Sequence, residues 1–151
     1  MCLSRVFTNE EMEEWLADKP EVIEVWKLVK VDSWGAYRAP VLGIVYKGGP
    51  NFVEKAFIRV RDNFKYYAGF HFFNKPLKTF FDGKIYGKYY TWIQCLVKKE
   101  WITAIGIERW DSIQIAIVAS QAIFPHYPET EARYEDMDCY PEETGPVLVR
   151  V

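Results

Sequence analysis

Tyr66-Tyr67-Ala68-Gly69-Phe70-His71-Phe72-Phe73 sets five Phe and Tyr rings, one glycine and one of the chain's two histidines in a single short run. Aromatic side chains suit the half-buried, pleated surface of a sheet, so this run predicts a central strand. Alternation places Tyr66, Ala68, Phe70 and Phe72 on one face and Tyr67, Gly69, His71 and Phe73 on the other. Neither face is polar, and both are expected to be covered. A glycine inside a strand marks a bulge or a close approach to the backbone, either by a ligand or by a packed neighbour.

Outward from that run, further strands are predicted at 23–31, 41–46 and 52–61 before it, and at 89–97, 102–108 and 112–124 after it. Residues 33–40 and Lys47-Gly48-Gly49-Pro50-Asn51 read as loops. Residues 1–7 form a short strand or an ordered arm. Thr8-Asn9-Glu10-Glu11 has the capping-box pattern, and the helix it starts carries Met12, Trp15 and Leu16 on one side and ends before Pro20. Pro76 opens a single helical turn through Phe80 and Phe81. The expected fold is α+β and β-rich: a mostly antiparallel sheet, curled into a half-barrel or sandwich, with the N-terminal helix packed on it. The chain reads as one domain over 1–151, with a core at 1–125, an acidic tail at 126–146 and a last short strand at 147–151.

Of the 151 residues, 50% are hydrophobic and 17% aromatic, enough to bury a core without staples. No apolar run is long enough to span a bilayer and the acidic start is unlike a signal peptide, so a cytoplasmic protein without a membrane partner is expected. Cys2, Cys95 and Cys139 are odd in number and lack a CxxC pair, which predicts reduced thiols and no zinc site. His71 and His126 have no matching acidic cluster, so neither a metal nor a cofactor is expected. The net charge of −2 conceals a segregation. Residues 27–99 hold 14 Lys and Arg against four Asp and Glu, while both flanks are acidic.

Met1-Cys2-Leu3, Ile23-Glu24-Val25-Trp26-Lys27-Leu28, the glycine-bounded segment 43–49, Gly69-Phe70-His71-Phe72, Ile93-Gln94-Cys95-Leu96-Val97 and Val118-Ala119-Ser120-Gln121-Ala122-Ile123 follow one another in a distinctive order. In this the chain resembles a family of small phage and prophage proteins over about residues 1–124, with the GFHxF motif its sharpest feature. Such relatives often have a small or hydroxyl residue where this chain has Phe72, and its acidic tail has no counterpart there. The resemblance implies a phage setting in a host cytoplasm, and it carries over neither an activity nor catalytic residues.

The basic middle interleaves cations with rings, the combination that neutralises phosphate and stacks on bases. Arg59, Arg61, Tyr67, His71, Lys88, Tyr90 and Trp92 are the candidate ligand-binding residues. The leading reading is a non-catalytic binder of a phosphate-bearing, nucleotide-like small molecule or of a host protein. The bland alternative makes the rings core and the cations a solvated face. A pI near 5.8 argues against general DNA binding. His71, as a general acid or base, is the candidate catalytic residue of a small nucleotide-acting enzyme; the competing reading is a buried, satisfied histidine. A virion or scaffold protein would instead form a symmetric homo-oligomer. Cys2 would be a nucleophile only if Met1 were removed, and Cys95 reads as core. Glu129 and Glu131 are weighed as carboxylate partners of His71. The acidic tail either stays solvated or docks on a basic surface through Tyr134, Met137 and Tyr140.

Overall fold

Thr8 begins the helix as its spacing requires. Its hydroxyl accepts from the Glu11 amide at 3.1 Å, and the Glu11 carboxylate accepts from the Thr8 amide at 3.1 Å. The structure, a computed structural model, describes residues 3–32, 36–39, 44–52, 58–61, 64–67, 69–77, 90–109 and 113–138, with the backbone alone described at 58–61 and 64–65. The helix α1 spans Asn9–Leu16, and Met12 and Leu16 enter the core with Trp15 against it. Thr8→Ala is expected to lower stability by about 1 kcal/mol, read by urea denaturation, because the Glu11 amide loses its acceptor.

The strands are β1 (Arg5–Val6), β2 (Val22–Val31), β3 (Tyr37–Arg38), β4 (Val45–Tyr46), β5 (Gly49–Phe52), β6 (Ile58–Arg61), β7 (Phe64–Tyr67), β8 (Phe70–Phe73), β9 (Tyr90–Lys98), β10 (Ile102–Arg109), β11 (Ile113–Ala119) and β12 (Gln121–Phe124). Ten of them form one antiparallel sheet in the order β1-β10-β11-β8-β2-β9-β12-β5, with β3 and β4 added beside β2, while β6 and β7 pair as a separate ribbon. The β-rich α+β fold with one N-terminal helix is therefore as expected. The expected curl into a half-barrel or sandwich is not found: the hydrogen-bonded path is open at β1 and β5, and the sheet is neither closed nor strongly curled. Met12, Leu16, Tyr37, Tyr46, Phe124 and Ala132 join Ile23, Val25, Ile93, Cys95 and Ile117 in one cluster. Leu3, Tyr66 and Leu77 join Leu28, Phe73, Ala104, Ala116 and Val118 in the other.

The central strand is two strands. β7 belongs to the ribbon and β8 to the large sheet, with the break at 68–69. The break corrects the expected alternation, because Tyr66 shares a cluster with Phe73, while Phe70 and Phe72 serve the opposite one. What approaches Gly69 is neither ligand nor ring. A Cβ there would meet the Ala119 carbonyl oxygen at 2.4 Å. Gly69→Ala must push apart two backbones, and a loss of about 1–3 kcal/mol is expected in the same denaturation assay.

Other boundaries move for similar reasons. Gly49, Pro50 and Asn51, read as loop, form β5 against β12, since an edge strand tolerates proline. Tyr37 and Arg38, also read as loop, pair with β2 and β4. The long strand at 112–124 breaks at Ser120 into β11 and β12, which take different neighbours. The predicted helical turn near Phe80 and the last strand at 147–151 fall outside the described residues. The first part of the acidic tail docks: Gln94 donates its amide to Thr130 O and accepts from the Ala132 amide. Met137 packs against the core and the Tyr134 hydroxyl donates to Glu24, whereas Tyr140 is outside the described residues. Among the described residues no helix is long and apolar enough to cross a membrane.

Candidate functional site

His71 is the second residue of β8, which lies between β11 and β2. It lies opposite Val118 of β11, and its side chain falls on the face that Tyr66 and Leu3 cover. The ring is buried, at 7% exposure. Its Nδ1 lies 3.1 Å from Oε1 of Glu108, itself at 1% exposure. The Tyr66 ring stands edge-on to the imidazole with centroids 6.0 Å apart, and the Tyr66 hydroxyl accepts from the Leu3 amide at 3.3 Å. The imidazole Nε2 is buried and has no hydrogen-bond partner among the described residues. A polar atom in that position is uncommon in folded proteins and calls for a reason.

The electrostatics favour the neutral ring. Burial pushes the His71 pKa below its ordinary value, and nearby Lys27 adds to this, while the hydrogen bond and charge of Glu108 oppose it. Because an ionised carboxylate can only accept, a neutral ring paired with one carries its proton on Nδ1 and leaves the Nε2 lone pair as an acceptor.

Lys27 is the second unexpected charge. It sits at the same alternation as Ile23, Val25 and Val29 on β2, at 6% exposure. Its Nζ donates to the His71 carbonyl at 2.9 Å and lies 5.4 Å from the Tyr46 ring centroid and 5.5 Å from that of Phe72. Burial lowers its pKa from 10.5 to about 8, with Cys95 and Glu108 pulling the other way. This first cation of the basic middle is thus core, as is Cys95, whose thiol burial pushes well up.

Of the predicted ligand residues, Tyr90 and Trp92 are half-buried and pack against the cluster that holds Tyr66 and Phe73, Trp92 lying edge-on to Phe73 at 5.8 Å. Arg59 lies on β6 in register with Tyr66, Arg61 with Phe64, and half-buried Tyr67 with Ile58. Lys88 and Cys2 lie outside the described residues. Tyr66 thus joins the strand pair that carries Arg59 and Arg61 to the face that carries His71, Tyr90 and Trp92.

Neither Glu129 nor Glu131 serves His71. The Glu129 carboxylate is held by Arg133 and kept below its usual pKa by that bond, and its carbonyl accepts from the Tyr37 hydroxyl. Glu131 forms a parallel bridge with Gln94. His126 is a loop residue, as its flanking prolines suggest, with Nε2 2.8 Å from Asp136. Glu108 was the residue that sequence reasoning missed; the available signal was a carboxylate sharing a strand face with Ala104 and Gly106. No cluster of three His, Cys, Asp or Glu side chains suited to a metal occurs among the described residues. No family model, curated protein or solved structure matches the chain.

Proposed function

We propose that the protein is a phage-type binding protein that takes a phosphate-bearing, nucleotide-like small molecule between the β6–β7 ribbon and the sheet face of His71, Tyr90 and Trp92. The observation that carries this reading is the buried Nε2 of His71, without a partner among the described residues, beside the ring of Tyr66, the residue that anchors the ribbon. Arg59 and Arg61 on β6, with Lys88, supply the cations for the phosphate, and Tyr67, Tyr90 and Trp92 supply rings for a base. The His71 ring is buried, so the ligand reaches it when the ribbon lifts. Two strands without a wider sheet are marginally stable, and such an element opens most readily.

Native mass spectrometry and a thermal-shift screen of nucleotides and cyclic dinucleotides test this. A ligand at about 100 times its Kd should add about 2.7 kcal/mol of stability. No shift with any compound, together with a bare mass, would redirect attention to a host protein partner or, for a stable oligomer, to a virion role.

A second reading rests on the same His71–Glu108 pair. A carboxylate that fixes Nδ1–H and leaves Nε2 as acceptor is how a general base is oriented. A small nucleotide-acting enzyme would lose turnover on His71→Ala, whereas the binder would show weaker affinity on Arg59→Ala or Lys88→Ala and no turnover at all.

A further inference from the structure

We infer that the ligand of this site presents a hydrogen-bond donor, a hydroxyl or an N–H, to His71 Nε2, and that its phosphate is held elsewhere. This deepens the binding reading and rests on it. The polarity follows from Glu108: its carboxylate accepts, so the Nδ1 of His71 donates at 3.1 Å and the Nε2 can only accept from a further group. Nothing among the described residues fills that buried acceptor. An ionised phosphate oxygen also accepts, so it would face a lone pair and be repelled, and only a protonated P–OH could donate there. A second proton on the ring would remove that conflict, but it would add a cation beside Lys27, whose ammonium is bonded to the carbonyl of the same residue. Glu108 offsets part of such a charge, yet both groups are buried where an extra cation is costly. The Glu108 carboxylate lies beside Nδ1, while Lys27 acts through the main-chain carbonyl from the opposite face of the sheet and the N-terminal amine adds a second cationic influence; burial together with these cations favours the neutral ring. A sugar hydroxyl or a base N–H satisfies Nε2, and an ionised phosphate oxygen does not. The ligand class is accordingly a nucleoside phosphate rather than a simple phosphate or polyphosphate.

The test uses the full chain with isotope-labelled histidine, in which His71 and His126 give two resolvable rings, and long-range proton–nitrogen correlation at neutral pH. The expected result is a neutral Nδ1–H ring for His71, retained when ribonucleoside monophosphates are added, with only its Nε2 resonance moving. His71→Phe keeps an aromatic ring and removes the acceptor, and it is expected to weaken nucleotide binding about 10–100-fold. The correlation spectrum of the unaltered protein decides the matter even if that variant fails to fold. An Nε2–H or doubly protonated ring in the bound protein, or inorganic phosphate binding as tightly as the nucleotides, overturns the inference alone. Failure of every ribonucleoside monophosphate to bind the unaltered protein overturns the reading of the site, and the inference with it.

Discussion

Phe72→Ala is expected to remove about 3–5 kcal/mol of stability, the usual loss for an aromatic ring cut from a packed core. Phe72 is fully buried, and its ring centroid lies 6.4 Å from that of Phe70 and 6.2 Å from that of Phe124. Phe124 in turn stacks at 4.8 Å on Tyr46 and meets Phe70 edge-on at 5.6 Å. These four rings tie β8, β12 and β4 into one cluster, so deletion of the Phe72 ring leaves a cavity that its neighbours cannot jointly refill. Urea denaturation should show a lower midpoint with an unchanged slope. A loss below about 1 kcal/mol would mean that the ring is not core.

Lys27→Met makes the second large effect visible as a pH dependence. Lys27 has an ordinary pKa of 10.5 and a folded value of about 8. Below about 8 the amine is protonated in both states, and the folded state bears the full cost of a buried ammonium. Between about 8 and 10.5 the unfolded chain holds the extra proton, so the stability of the unaltered protein rises with pH. The full gain is about 3 kcal/mol. Tyr37 and Tyr46, both pushed up to about 12 by burial, work in the opposite direction above their ordinary value of 10. The variant keeps both tyrosines, so subtracting its profile isolates the lysine. The advantage of Lys27→Met over the unaltered protein should shrink by about 3 kcal/mol across this window, relative to its value at neutral pH. Parallel profiles would show that Lys27 is hydrated in the folded state.

Local chemistry carried a large part of the fold. The Thr8 capping box needs only residues three apart, and it forms as written. Cys95 and Trp15 are also where hydrophobic alternation and helical spacing put them. What failed was whatever depends on partners distant in the chain. The Ala119 carbonyl that presses on Gly69 comes from a strand 50 residues away by number, so alternation alone placed Tyr66 on the wrong face. Gly49, Pro50 and Asn51 have turn chemistry, but β12 offers them a ladder. His71 could be singled out from its strand, whereas its carboxylate lies 37 residues on, and Glu129 was considered in its place. Lys27 hid for the opposite reason, as one cation among many in a basic segment, with its burial set by the rings of Tyr46 and Phe72.

The most direct test of ligand capture beneath the ribbon is hydrogen–deuterium exchange of the full chain with and without ribonucleoside monophosphate at saturation. The account predicts added protection in β6, β7 and β8 and in the Tyr90 end of β9, with α1 unchanged. Unchanged exchange at the ribbon, or protection confined to α1 and the docked segment around Tyr134, would contradict it.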